Sequence, residues 1–293
     1  SQHAVMLGGL LHDVGFLHID PDIFHKSGEL NPAEWRAIQS HTVIGKTLSD
    51  AVQDLDKRVS RIILEHHEQC DGLGYPGGKH TNELDILGQI VAMADSIQAI
   101  RVGKFAHTGR ILRDLDPFLN MNTDIHTHRV YASACSILRK SGLVRTALPH
   151  CAGHDWLIKL HLRWQGLAKI VSFLKTLTEL VAAIDVGHTR GKLTQVFNRM
   201  LVITNQSGLL APELGQWLMD LLRSKLEPAV QIELGDIELM LDELSWQLKN
   251  AKRAVYALFD AHPNPTSPAM ITLKSMTNEL IEVLNVEAQN RRS

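Results

Sequence analysis

The residues whose types could do chemistry together are His12-Asp13, His41, the adjacent pair His66-His67, and Asp95. Neutral imidazoles and carboxylates are the usual donors for first-row divalent metals. An aspartate can bridge two ions with its two oxygens, and histidines from separate helices can complete each coordination sphere. Two ions held in this way lower the pKa of a water molecule and clamp a phosphodiester for in-line attack. Taken singly, each residue also has an ordinary reading. A histidine on an apolar helix face is commonly a hydrogen-bonded core residue, and adjacent His-Asp or His-His pairs arise by chance. A further pair, His154-Asp155, lies outside the pattern, and Asp155 is expected to cap a helix before Trp156. His126 and His128 are expected on an exposed loop or helix start. Glu65 and Glu68 flank the paired histidines, where they could hold an imidazole from behind or belong to a solvated helix face.

The elements that must position these residues read as helices. The chain opens in one, Ser1 to His12. Asn31-Pro32-Ala33-Glu34 is a helix start, with Asn at the N-cap, Pro at the first helical position and Glu at the third. One helix is expected from there through Trp35, Ile38, His41 and Ile44. The next runs from Lys57 through His67, with Val59, Ile62, Ile63 and His66 on one side. A loop containing Gly72, Gly74, Pro76, Gly77 and Gly78 follows. A helix from Leu87 to Ile100 should turn Ile90, Met93, Ala94 and Ile97 inward. Residues 105–123 are less regular, and a helix from Arg129 to Lys140 ends at Gly142.

From about residue 146 the pattern changes. Leu167, Ile170, Leu174, Leu177, Val181 and Ile184 repeat at alternating three- and four-residue steps. So do Ile237, Leu241, Leu244, Leu248, Ala251, Val255 and Leu258. This is the seam spacing of helices packed at a shallow angle, serving either a core or a homodimer interface. Shorter amphipathic helices are expected around Leu193–Ile203 and Leu214–Leu226, and a last one over Met270–Val286. The fold class is therefore all-α: one helical bundle over residues 1–145 and a second over 146–293, the latter without any recognisable catalytic motif.

Bulk properties agree with this reading. The chain has 293 residues, of which 44% are hydrophobic and 21% charged, enough for two domains with real cores. A formal charge of −2 gives no basic surface for nucleic acid or membrane. Cys70, Cys135 and Cys151 show no paired spacing, which argues against a disulfide framework and against a zinc knuckle, and suits a reducing cytoplasm. No apolar run is long enough to span a bilayer, and no signal peptide is visible. The committed helix at Ser1 suggests a fragment lacking its upstream portion.

Four stretches, in order, resemble the HD-GYP family of bacterial phosphodiesterases. They are Leu10-Leu11-His12-Asp13-Val14-Gly15, then Ser40-His41-Thr42-Val43-Ile44-Gly45, then His66-His67-Glu68 through Gly74-Tyr75-Pro76, and Ala92-Met93-Ala94-Asp95. The resemblance implies an HD-domain helical bundle with two or three divalent metals, iron or manganese, acting on a cyclic dinucleotide such as cyclic di-GMP through a metal-bridging hydroxide. It assigns His12, Asp13 and Asp95 to one metal, and Asp13, His41, His66 and His67 to the second. Gly74, Tyr75 and Pro76 would shape the site and offer a surface to a signalling protein, and Lys104 would meet substrate. Departures stand beside the matches. Phe16 takes the place of a phosphate-contacting Lys, Gln98 that of a second Asp, Lys104 that of an Arg, and His107 that of another basic residue. Family ligands upstream of the His-Asp pair have no counterpart, because His3 lies too close to His12 on the same helix. The alternatives are a degenerate domain that binds nucleotide or protein without turnover, and a hydrolase of another phosphate ester.

Overall fold

The computed structural model describes residues 1–26, 28, 30–106, 108–183, 188–261 and 267–290. The described residues are helical and contain no strand, only an isolated antiparallel bridge between Asp71 and His80. They fall into two compact units, Ser1–Leu143 and Val144–Ser293. Among them no helix is long and apolar enough to cross a membrane.

In unit 1, α1 (Gln2–Leu11), α5 (Lys57–Glu65) and α6 (Ile86–Gly103) pack against one another, and α4 (His41–Asp50) packs on α5. Their shared core is Ala4, Val59, Ile62, Ile63 and Val91. Val59, Ile62 and Ile63 recur at three- and four-residue steps, so one face of α5 is apolar and buried. Asp56 starts this helix by accepting from the Arg58 backbone N–H. The expected capping box is present at the head of α3 (Pro32–Gln39), where the Asn31 side chain accepts from Ala33 and Glu34 N–H groups.

Three expectations need correction here. The helix opened at Asn31 does not run on through Ile44: it ends at Gln39 and α4 begins anew at His41. Ser40 is the break, its N–H shared between the Arg36 and Ala37 carbonyls and its hydroxyl donating to Ala37 O at 2.6 Å. The hydroxyl thus competes with the backbone ladder. On α6, Ile90 and Ala94 face solvent, while Gly88, Gln89, Val91, Ala92, Met93 and Ile100 are buried. That helix packs on α1 and α5 and also on α8 (His128–Lys140), so its buried surface is not the single stripe expected. His126 is buried rather than on an exposed loop, whereas His128 does start α8 and is exposed.

Unit 2 is built on α9 (His154–Ala182), α10 (His188–Ser207), α11 (Pro212–Leu221), α12 (Pro228–Ala261) and α13 (Pro268–Asn290). Leu167, Ile170, Leu174, Leu177 and Val181 of α9 are buried, as are all seven seam residues from Ile237 to Leu258 of α12. Ile184 lies outside the described residues. Each fully buried Leu or Ile contributes about 1.5–3 kcal/mol, so these seams supply much of the unit's own cohesion. Asp155 is not an N-cap: α9 starts two residues earlier than expected, with Gly153 at the cap and Asp155 in the first turn. The helix expected to reach Leu226 stops at Leu221.

Candidate metal centre

His12 follows the last residue of α1, and Asp13 opens a 3-10 helix, Val14–His18, that packs on α4. The packing is close. A Cβ on Gly15 would fall 1.9 Å from the His41 carbonyl oxygen, so only glycine lets this turn lie against α4. The contact carries the Asp13 carboxylate to His41. α5 stops at Glu65, short of the expected His67, and the chain turns at His66 so that the paired histidines face the same space.

Asp13 stands between two sets of donors. Its Oδ2 lies 3.3 Å from His12 Nε2, which is itself 3.6 Å from Asp95 Oδ1. Its Oδ1 lies 3.4 Å from His41 Nε2 and 3.8 Å from His66 Nε2. Asp13, His41, His66 and His67 each offer a ligand atom, all within 4.8 Å of one another. Two donors about 2.0–2.2 Å from one ion are separated by roughly 3.0–3.4 Å, which the 3.3 and 3.4 Å spacings match and the 3.6 and 3.8 Å spacings exceed by a few tenths of an ångström.

Three of the imidazoles are oriented alike. The Nδ1 atoms of His12, His41 and His66 lie 2.8, 2.6 and 2.8 Å from the backbone carbonyls of Gly9, Ile38 and Ile63, three residues back in each case. A proton on Nδ1 satisfies each carbonyl and leaves the Nε2 lone pair aimed at the centre. The Nε2 atoms of His41 and His66 come within 3.3 Å of each other, a spacing that favours a positive species between them. Burial, with the charge of His67 adding to it, pushes the His66 pKa down to about 3. Burial also lowers His67 to about 3, and it lowers His41. Near neutral pH these rings are therefore uncharged donors. His12 behaves in the opposite way: hydrogen bonds to Asp13 and then Asp95 raise it to about 10. Burial pushes the Asp13 carboxyl up, but the hydrogen bond and charge of His12 outweigh it and hold the group below its usual range. Without metal, the His12–Asp13–Asp95 set keeps a proton where a cation would sit. The donor set fits a divalent metal centre.

The walls are aromatic. Tyr75 stacks on His67 with centroids 4.7 Å apart, and Phe16 stacks on His41 at 4.0 Å. Burial pushes the Tyr75 phenol far up, so it stays protonated and can donate. The Tyr75 N–H donates to His67 O at 3.1 Å. A Cβ on Gly74 would lie 2.3 Å from Gln69 N, so glycine is required for the loop to fold back this closely. Pro76, joined to Tyr75 by a cis peptide, is exposed.

The flanking glutamates are buried scaffolding that the sequence left ambiguous. Glu68, 1% exposed, accepts from the backbone N–H groups of Gly77 at 2.5 Å and Lys79 at 2.9 Å. Glu65 accepts from Lys79 Nζ, Arg61 Nε and Asp85 N. Nothing in the composition of the loop singles out Lys79 in advance. Lys104 is not brought to the cluster: it caps α6, roughly 13 Å along the helix from Asp95, with its ammonium over the Phe118 ring. Gln98 is exposed and accepts from Arg101. His107 lies outside the described residues.

Comparisons with known proteins point the same way. Residues 1–114 match the HD domain family. A 3'3'-cGAMP-specific phosphodiesterase 1 of Vibrio cholerae is 38% identical over 99 residues, 34% of this chain and 23% of that protein. A cyclic di-GMP phosphodiesterase of Thermotoga maritima is 42% identical over 91 residues, 31% of this chain and 25% of that one. The matched stretch thus spans about a quarter of each relative's length. The ordered motifs, the all-helical architecture and these matches together support an HD domain, similar to those of the HD-GYP type, over residues 1–114.

Proposed function

We propose that the chain is a metal-dependent phosphodiesterase acting on a cyclic dinucleotide, with cyclic di-GMP as the first candidate. The observation that carries this reading is the division of Asp13, one oxygen facing His12 and the other facing His41 and His66. In this assignment His12, Asp13 and Asp95 would hold one ion of the iron or manganese class. Asp13, His41, His66 and His67 would hold a second. When bound, such ions supply an activated water and neutralise charge at the phosphoryl group. The protein's own contribution is orientation. Backbone carbonyls fix three imidazoles, Glu68 fixes the Gly74-Tyr75-Pro76 loop, and the protonated Tyr75 phenol can donate to a phosphate oxygen. The exposed Pro76 and Gly77 edge of that loop would offer a signalling protein its surface.

One observation favours a non-catalytic reading of the same fold. Phe16 gives its ring to His41 and has no donor for phosphate, while the exposed Gln98 is no carboxylate. Such a domain would bind nucleotide or protein without turnover. Hydrolysis of cyclic di-GMP and 3'3'-cGAMP by iron- or manganese-loaded chain, with Asp13→Ala as control, separates the two. Turnover lost in the variant supports the enzyme; metal bound without turnover of either substrate sinks it.

A further inference from the structure

We propose that unit 2 carries a second, independent metal site, in which His150, Cys151 and Glu238 hold one zinc-class divalent ion. The side-chain donor atoms of these three residues all lie within 4.8 Å of one another. They come from two elements far apart in sequence. His150 and Cys151 sit on the 3-10 helix Pro149–Ala152, and Glu238 sits on α12, against which that turn packs.

The geometry is that of a three-ligand site. His150 Nε2 lies 3.1 Å from Glu238 Oε2, close to the roughly 3.3 Å edge between nitrogen and oxygen ligands of tetrahedral zinc. The other carboxylate oxygen of Glu238 accepts the Trp156 indole N–H at 2.9 Å, which fixes its orientation as an outer partner does in metal sites. The His150 ring meets Trp156 edge-on, with centroids 6.0 Å apart. Cys151 is fully buried, while the side chains of His150 and Glu238 are 38% and 21% exposed. An ion can therefore enter from the imidazole side, and a water can complete the fourth position.

The chemistry of the set points to zinc. Thiolate, imidazole and carboxylate are its three protein donors. A dication with one thiolate and one carboxylate is neutral, which suits a half-buried site. Binding forms the metal–sulfur bond and releases the Cys151 thiol proton to solvent, while His150 binds as the neutral ring. Neighbouring rungs along α12 differ. Asp236 is paired with Arg145 and Asp242 with Arg163, both guanidinium ion pairs that need no metal. At Glu238, the rung between them, the facing groups are an imidazole and a thiol. The HD centre has no sulfur donor, so the two sites are spectroscopically distinct.

The test is a cobalt(II) titration of the full chain, read by thiolate-to-cobalt charge transfer in the near ultraviolet, with zinc added afterwards. The expected result is a band whose final intensity corresponds to one thiolate–cobalt bond per chain and which is bleached by zinc. Cys151→Ser abolishes it. His150→Ala, which removes a part-exposed side chain without opening the core, weakens cobalt affinity about tenfold or more. Asp13→Ala leaves the band unchanged, so the result stands or falls apart from the HD centre. No thiolate band in the wild type, a band surviving Cys151→Ser, or unaltered affinity in folded His150→Ala each overturns the proposal. Circular dichroism establishes folding, and His150→Ala decides the matter if Cys151→Ser does not fold.

Discussion

Lowering the pH from 7 to 5.5 in the presence of a chelator should destabilise unit 1, because three of its candidate ligand imidazoles, His41, His66 and His67, are held uncharged. His66 and His67 have native pKa values of about 3, against an ordinary value of 6.5. Between those limits the unfolded chain binds protons that the folded chain refuses, so stability falls as the pH drops through 6.5. At pH 5.5, one unit below the unfolded value, each ring costs about 1.4 kcal/mol, against roughly 0.2 at pH 7. His12 works in the opposite direction. Its pKa of about 10 lends stability that is complete below 6.5 and is lost as the pH rises towards 10, so acidification adds a little. Its partner Asp13 is 48% exposed, and solvent screening reduces that term to about half a kcal/mol. The net loss from pH 7 to 5.5 is then about 2 kcal/mol, above the range where most carboxylates titrate. Urea unfolding of the chelated protein at the two pH values measures it, with the His66→Asn/His67→Asn double variant as reference. If wild type and double variant show the same pH slope, the two rings are not held uncharged and the reasoning fails.

Further outcomes follow from the same geometry. Glu68→Gln replaces a buried carboxylate that accepts two backbone N–H groups, so the Tyr75 loop should loosen. We expect a loss of about 1–3 kcal/mol and faster amide exchange at Gly77 and Lys79, with metal content unchanged; slow exchange in the variant would show that Glu68 does not hold the loop. Gly15→Ala sets a methyl group against the His41 carbonyl, a contact that only backbone movement relieves. It should cost about 3 kcal/mol and weaken metal binding, read by thermal melting with and without manganese; wild-type melting would refute the close packing. Phe16→Lys puts a cation beside the centre. One charge-assisted phosphate contact is worth about 1.5–3 kcal/mol, so kcat/KM on a cyclic dinucleotide should rise roughly tenfold to hundredfold, and an unchanged value would mean that Phe16 is not the missing grip.

The centre was more legible than its supports. His12, Asp13, His41, His66, His67 and Asp95, which the structure brings together, are legible as candidate ligands because metal chemistry demands particular donors and their order along the chain carries a family pattern. The seams of α9 and α12 were legible because burial imposes a helical period. What escaped depends on contacts distant in sequence. The break at Ser40 is a choice between a hydroxyl and a backbone bond that local propensity does not decide. Ile90 and Ala94 face solvent because α6 is packed by helices on more than one side. Glu65 and Glu68 read as holding an imidazole or as a solvated helix face, and instead they accept from the loop bearing Gly77 and Lys79, with Arg61 and Asp85, which the local sequence does not record. His126 reads as an exposed loop residue because nothing local records what covers it; it does lie in the loop before α8, but buried.

The most direct test is the iron or manganese content of the chain, compared with that of Asp13→Ala. Because one carboxylate serves both donor sets, we predict two iron or manganese ions per chain in the first protein and loss of both in the second, with the fold intact. An Asp13→Ala chain that keeps its full metal complement, or a parent that binds none, would contradict the account.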